Sequence, residues 1–420
     1  MSKNRLVSRM VVVPFLCVSG VAQAAGFQLN EHSASGLGRA FAGEGAIGDN
    51  ASVLARNPAA MTLFDKSEIS VVASYIDPNV DVSGTTIYPS LNSKKTATEV
   101  SANEKDIAPS AVVPAFYYIK PLSEQWSVGV AAFSNYGFTT DYGDAFSASE
   151  LANYSEIATF TVNPNIAYRI NEQWSLGAGL DITYGEAKLE TTGSDALGGI
   201  FKGDTMFGLE GDDTAYSWNV GALYELSPQT RFGLTYRSEV DMEFEGDGSI
   251  AGAPKSGSVA VTLPKIAELS AYHELNNQWA IHGSVMYSGW SSFETLEADI
   301  DGSDDPLHLK DEYYDNTWRY SVGTTYRYTD QWTLRTGYAL DKGAVSDEHR
   351  TLSIPDTDRH LVSVGATYAV SEDLSIDGGY GYLWGDSAPI DETDPITGTS
   401  FSGETEGTAH IVSMQMNWRF

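Results

Sequence analysis

Val412-Ser413-Met414-Gln415-Met416-Asn417-Trp418-Arg419-Phe420 ends the chain with large apolar side chains at alternate positions and small or polar ones between. A period of two belongs to a β-strand, whose successive side chains point to opposite faces. The pattern recurs upstream. Trp174, Leu176, Ala178, Leu180, Ile182 and Tyr184 alternate with Ser175, Gly177, Gly179, Asp181, Thr183 and Gly185, and Val362, Val364, Ala366, Tyr368 and Val370 repeat it. These runs are about ten residues or longer, enough for a tilted strand to cross a bilayer.

A polar turn motif counts the strands. Ser123-Glu124-Gln125-Trp126, Asn171-Glu172-Gln173-Trp174, Asn276-Asn277-Gln278-Trp279 and Thr329-Asp330-Gln331-Trp332 are close copies, and Ser227-Pro228-Gln229 and Ser371-Glu372-Asp373-Leu374 are weaker ones. Each lies between two alternating runs. Its aromatic or apolar residue falls at one height, the signature of an aromatic girdle. The opposite strand ends carry long Gly- and Asp-rich connections, such as 190–213 and 299–311. Six tight turns join twelve strands; one strand before them (about 67–82) and one after (about 408–420) give fourteen. The expected fold is all-β: a 14-stranded antiparallel transmembrane β-barrel (65–420) with both ends on the short-turn, periplasmic side. The terminal Phe420 suits recognition by the outer-membrane assembly machinery.

Residues 1–24 read as a signal peptide: basic Lys3, Arg5 and Arg9, a short apolar run, and Ala22-Gln23-Ala24 as the cleavage site. Cys17 is the one cysteine and lies inside that segment, so the mature chain has no disulfide and no thiolate chemistry. Removing the three basic residues takes 25 Lys+Arg to 22 against 56 Asp+Glu, a formal charge of −34. That balance excludes a nucleic-acid partner, which needs a basic face. It fits acidic outer loops beside lipopolysaccharide.

Residues 25–64 break the alternation and are punctuated by Gly36, Gly38, Gly43, Gly45 and Gly48. The economical reading is a small N-terminal plug in the lumen, the alternative being a periplasmic tail. Here a resemblance enters. Ala25-Gly26-Phe27-Gln28-Leu29-Asn30-Glu31, Gly36-Leu37-Gly38-Arg39-Ala40, Gly43-Glu44-Gly45-Ala46 and Arg56-Asn57-Pro58-Ala59-Ala60 resemble the start of the FadL family. Ser134-Asn135-Tyr136-Gly137, Thr235-Tyr236-Arg237-Ser238 and Ser353-Ile354-Pro355-Asp356-Thr357-Asp358-Arg359 extend the likeness over the mature chain. The resemblance implies a fourteen-strand barrel, an N-terminal hatch, and uptake of long-chain fatty acids or similar hydrophobic molecules across the outer membrane of a Gram-negative bacterium. An aromatic-hydrocarbon channel, or a general porin or adhesin on the same barrel, are the alternatives. A porin would conduct ions steadily.

Such a transporter needs three things, because each methylene held in water costs about 0.8 kcal/mol. The first is an apolar landing patch: Leu197, Ile200, Phe201, Met206, Phe207 and Leu209, too apolar for a solvated loop unless it packs on itself. The second is a lumen pocket. The resemblance places Phe27 near ligand and groups Asn57 and Pro58 with the plug, and strand phase offers Lys188, Arg237 and Arg335 as partners for a carboxylate. The family's basic head-group positions correspond to Thr191 and Asp315 here, which leaves room for a neutral substrate. The third is a lateral exit. Asn135-Tyr136-Gly137 interrupts the third strand, and Pro109 and Pro114 weaken the second. A turn pairing Pro121 with Gln125 sets Pro109 opposite Gly137. The resemblance makes this interruption the kinked strand through which ligand leaves, and an ordinary β-bulge is the alternative.

No nucleophile elbow or other catalytic motif accompanies the seven histidines, and the Asp299–Asp305 run lacks the later bidentate Glu of a calcium loop. The reading is therefore not an enzyme, with no cofactor and no metal, and a monomer.

Overall fold

The computed structural model describes residues 26–420 apart from 90–96, 144, 196–198, 200–201 and 396. The expected signal peptide, and Leu197, Ile200 and Phe201, lie outside the described residues.

Fourteen antiparallel strands follow in order. They are β1 (Glu68–Tyr88), β2 (Thr98–Glu104 and Ala111–Pro121), β3 (Trp126–Phe133 and Gly137–Asp141), β4 (Tyr154–Arg169) and β5 (Trp174–Thr192). Next come β6 (Thr205–Ser227), β7 (Thr230–Arg237 and Val240–Ile250), β8 (Ala253–Leu263 and Ile266–Glu274) and β9 (Trp279–Ser288, extended by Thr295–Ile300). The circuit ends with β10 (Leu307–Asp311 and Thr317–Arg327), β11 (Trp332–Asp341), β12 (Arg359–Ala369), β13 (Leu374–Gly385 and Ala388–Thr393) and β14 (Ser400–Arg419). Each pairs with the next, and β1 pairs with β14 from Glu68↔Arg419 to Ile87↔Ser400, closing the barrel.

The turn motif works through its first residue. Asn171 Oδ1 accepts from the backbone N–H groups of Gln173 and Trp174, both at 2.9 Å, and Asn276 Oδ1 does the same for Gln278 and Trp279. The hydroxyls of Ser123, Thr329 and Ser371 replace the amide in the other copies. This side-chain turn fixes the register. It sets each Trp directly opposite a Tyr on the next strand: Trp126–Tyr168, Trp174–Tyr224, Trp279–Tyr326 and Trp332–Tyr368, with ring centroids 4.4–4.9 Å apart. Cross-strand aromatic pairs contribute about 0.2–1 kcal/mol each and form the inner-leaflet girdle. Trp218–Tyr236 and Tyr287–Trp318 mark the other edge of the apolar band.

The strands are longer than the alternation suggested. β1 runs to Tyr88 and β14 begins at Ser400, and much of the connection expected over 190–213 is strand. The outer extensions are Gly-, Ser- and Glu-rich and carry a weak apolar signal, yet their backbones continue the ladder.

Residues 26–64 lie inside the barrel. Their short helices, Ala34–Leu37, Glu44–Ile47, Ala51–Ala55 and Pro58–Leu63, touch strands all round the wall. Wall side chains satisfy the backbone of this segment: Gly43 N–H reaches Ser284 Oγ, Gly45 reaches Ser270 Oγ, Ala40 reaches Ser363 Oγ and Ala34 reaches Gln415 Oε1. The small inward residues of the strands have the same cause. A Cβ on Gly177 would overlap the backbone of Pro58 and Ala59, and one on Gly233 would overlap the Gly45 carbonyl. A buried ion cluster completes the seating: Arg39 binds Glu44 at 3.0 Å and Asp49 at 2.8 Å, and Arg335 binds Asp49 at 3.2 Å.

Candidate functional site

Between this inner segment and the outer strand extensions lies a narrow apolar cavity of about 60 Å³. Phe138, Ile157, Leu209, Phe244, Val261 and Phe293 form its wall. Phe27 packs behind two of these wall residues: it is fully buried, 4.6 Å from Trp290, 5.3 Å from Phe138 and 5.8 Å from Phe293 by ring centroids. The preceding residue is tied to an outer loop, where Asp356 Oδ2 accepts from Gly26 N–H at 3.0 Å and from Ala344 N–H at 2.6 Å.

The surface of the cavity is almost wholly apolar, with a few charged residues at its border. Lys188, Glu156, Lys310 and Glu312 all line it. Lys188 Nζ sits 5.1 Å from the Tyr154 ring centroid and 3.8 Å from Glu190 Oε2. Lys310 Nζ donates to Glu392 Oε1 at 2.8 Å and Ser353 Oγ at 2.6 Å. Glu312 lies in the link between the two parts of β10, beyond the apolar band, and is 1 % exposed. Burial pushes its carboxyl up to about 7, with Lys310 opposing the shift and Glu392 adding to it.

The sequence-derived site residues fall into three groups. Leu209 lines the cavity, Phe27 packs against its wall residues Phe138 and Phe293, and Lys188 borders it from the outward face of β5, beside Glu190 and Tyr154. Phe207 and Leu209, expected on an exposed loop, are buried residues of β6 that face inward, alternating with Gly208 and Glu210 at strand period; Met206 is half-buried on the same strand. Arg237 and Arg335 do not line the cavity. Arg237 is paired with Asp181 and donates to the Ala55 carbonyl at 3.2 Å, while Arg335 holds Asp49 and Asp377. Their charges are spent on seating the inner segment. Asn57 and Pro58 also serve that contact: Asn57 Nδ2 donates to the carbonyls of Gly45 and Ala222. Lys310 and Glu312 were missed, although Leu307-His308-Leu309-Lys310 already shows strand alternation.

The third strand is broken where expected. β3 pairs with β2 from Pro121↔Ser127 to Phe116↔Ala132, and the described ladder stops there. Ala111–Ala115 of β2 pairs with β1 (Ile76↔Ala111, Val72↔Ala115), whereas Gly137–Asp141 of β3 pairs with β4. Against β4 the break inserts one extra residue, between Phe133↔Thr161 and Gly137↔Ala158. The wall thus lacks ladder bonds between β2 and the outer half of β3 among the described residues. Pro109 does not face Gly137. The register differs from the expected one by two residues, because the turn pairs Pro121 with Ser127, and Pro109 sits exposed in the link within β2.

The inner segment occupies this break. Gly137 N–H donates to the Phe27 carbonyl at 2.9 Å, Leu29 N–H donates to the Asn135 carbonyl at 2.7 Å, and Gln28 and Tyr136 form the antiparallel bridge between them. His32 Nε2 lies 2.9 Å from the Ser134 carbonyl. Burial, reinforced by the Arg56 charge, holds the imidazole neutral, and a carbonyl only accepts, so Nε2 carries the proton.

A closed barrel with an outward apolar band, a filled lumen and an apolar cavity near its outer end is the architecture of an outer-membrane β-barrel protein. The chain belongs to the family described as outer membrane protein transport protein (OMPP1/FadL/TodX), which it matches over residues 15–420. It is 39% identical to the long-chain fatty acid transport protein of Escherichia coli O6:H1, over 100% of both chains. The crystal structure of a Pseudomonas aeruginosa FadL homologue matches its fold with a TM-score of 0.84 at 22% identity, covering 94% of this chain and 100% of that one. The Pseudomonas putida toluene transporter TodX matches with a TM-score of 0.66 at 18% identity, covering 88% and 94%.

Proposed function

We propose that this protein takes up long-chain fatty acids, binding them in the cavity above Phe27 and releasing them sideways into the membrane through the break between β2 and β3. The observation that carries this reading is the pairing of one segment with both features. Phe27 packs against the cavity wall through its ring and bonds to Gly137 in the break through its carbonyl. Displacing Phe27–Leu29 would free that wall and unblock the break together. A ligand that competes with Phe27 for the apolar wall supplies the free energy for that step, since each methylene removed from water contributes about 0.8 kcal/mol.

A fatty acid is favoured over a monoaromatic hydrocarbon because the chain is 39% identical over its full length to a long-chain fatty acid transport protein, against 18% to a toluene transporter. In this reading Met206 belongs to the outer approach, and the acidic loops face lipopolysaccharide.

The test is growth on oleate as carbon source by a strain deleted for its own transporter and carrying this gene. Growth supports the reading. Absence of growth, with the barrel assembled in the outer membrane, removes it. Uptake through the break is tested separately, by the Gly137 variants discussed below.

A further inference from the structure

The membrane face of the barrel is not evenly ridged. Across β3–β7 it carries an open apolar groove of about 490 Å³, on the opposite side of the wall from the lumen. Its floor is Ala178 of β5 and Ala222 of β6, and each alanine has bulky partners on both neighbouring strands. Ala178 pairs with Ile166 and Val220, and Ala222 pairs with Leu176 and Leu234. Those four side chains are exposed and stand as the banks of the groove. The floor is held from behind. Gly177 and Gly221, next in sequence to the alanines, face the lumen, and a Cβ on either would overlap Pro58, Ala59 or Asn57 of the inner segment. The groove is therefore preformed.

It runs obliquely. Trp126 pairs through Tyr168 with Leu176, which lies two residues outward of Trp174, the girdle residue of the same strand. Paired rows thus climb from β3 to β7, as strand tilt requires. The lower end of the groove is at Trp126 and Tyr168, and the upper end is at Tyr236, the partner of Trp218 at the outer girdle. The two ends differ in charge. An exposed cation, Lys120 of β2, stands beside the lower end in the row Lys120, Val128, Ile166. Two strand spacings, about 10 Å, separate it from Ile166. The turns below carry Glu124 and Glu172, both exposed. Above the upper end, Asp212, Asp241 and Glu243 are exposed on β6 and β7.

We propose that this groove binds a zwitterionic phospholipid of the periplasmic leaflet, with one acyl chain over Ala178 and Ala222 and the phosphate at Lys120. The groove opens onto the apolar band that faces lipid, so hydrocarbon fills it rather than water or a soluble partner. Inside a bilayer one apolar surface is as greasy as the next, and packing decides which is preferred. A chain in the groove touches the floor and both banks, whereas a chain on a flat wall is touched from one side. Charge sets the leaflet. The acids above the upper end repel a phosphate, and Lys120 attracts one. The acidic turns below Lys120 meet the ammonium of the same head group, which an anionic lipid lacks. Trp126 and Tyr168 lie at head-group level, as girdle aromatics do. This site lies outside the barrel and does not depend on which substrate the lumen carries.

The test is photo-crosslinking of the full mature barrel in nanodiscs, with phosphatidylethanolamine carrying a diazirine on one acyl chain. Labelling at Leu176, Ala178, Val220 and Ala222 should exceed that at the exposed Val362, Val364, Val412 and Met414 by about tenfold. Ala178→Leu with Ala222→Leu fills the floor with side chains that suit a lipid-facing strand, and should bring labelling down to that of the rest of the wall. Phosphatidylglycerol with the same diazirine, and a diazirine fatty acid, should label the groove no more than the wall. Uniform labelling of the native barrel overturns the proposal, and so does enrichment that survives in the double variant. Enrichment by phosphatidylglycerol or by the fatty acid, or crosslinks between two copies through these strands, would give the groove another occupant and overturn it equally. The native map needs no substitution, so a variant that fails to assemble leaves the question decided.

Discussion

Gly137 and Phe27, 110 positions apart in the chain, are joined by a hydrogen bond of 2.9 Å from the N–H of the first to the carbonyl of the second. The residue at the break in the wall is thereby bound to a residue that packs against the cavity wall. Backbone groups of β3 that β2 does not pair are bonded instead by residues 27–29 of the inner segment.

Space at Gly137 sets the first prediction. A Cβ there would lie 3.4 Å from the Ile157 carbonyl and 3.5 Å from Leu29 Cδ1, so Gly137→Ala fits. Gly137→Val adds two methyl groups toward Leu29. Oleate uptake should be near native for Ala and at least about tenfold lower for Val, a loss of about 1.4 kcal/mol in the transport step. Both variants should migrate as folded barrels in unheated gel samples. Unchanged uptake in Gly137→Val would remove the lateral route.

Phe27→Ala removes a ring that touches Phe138, Trp290 and Phe293. A buried Phe→Ala change typically costs about 3–5 kcal/mol. Here that cost falls on the seating of residues 26–29, so the variant should show faster hydrogen exchange at Leu29 and at the Gly137 amide. Planar-bilayer recordings should show more frequent openings than the native protein.

The Arg335 pairings give a prediction that separates seating from substrate binding. Arg335→Ala leaves Asp377 buried and Asp49 with Arg39 alone. Removing one partner of a buried pair costs about 3–5 kcal/mol. The thermal transition in detergent should fall, while the Kd for fatty acid changes by less than about twofold. A large Kd change with an unaltered transition would return Arg335 to the head-group site.

Stability should depend on pH through Glu312. Its carboxyl rises in the folded state from 4.5 to about 7, so folding is disfavoured progressively as pH climbs through that window and is unaffected below it. The full effect is about 3 kcal/mol, expressed locally in the loops around 312 and 351–356. Hydrogen-exchange protection in these loops, with the intrinsic base-catalysed rate divided out, should fall between pH 5 and 7.5 in the native protein and stay constant in Glu312→Gln.

The barrel was legible because membrane strands obey a strict period and the turn motif stamps a Trp at the same height each time. The break in β3 was legible too, since Asn135-Tyr136-Gly137 interrupts an otherwise clean run. The register across the β2–β3 turn was not. Ser123 closes the turn around Gln125 and Trp126, and only its hydrogen bonds show that Pro121 meets Ser127. Nor was the placing of Lys188, Arg237 and Arg335. Arg237 and Arg335 point inward onto the packed segment, whereas Lys188 shares the phase of Tyr184 on the outward face, and height along the barrel axis is invisible in alternation. Lys310 and Glu312 sit on an outer extension whose composition resembles a solvated loop.

The serines and glutamine that receive the inner segment are scattered along the chain: Ser270, Ser284, Ser363 and Gln415. Residues 34–45 therefore have no complete set of partners until the last strand has been laid against the first. The part of the mature protein synthesised earliest is placed last, and until then it is a solvated, glycine-rich thread inside an unfinished tube. Barrel closure and lumen filling are separate events in time, and substitutions at these acceptor positions should slow the second without delaying insertion into the membrane.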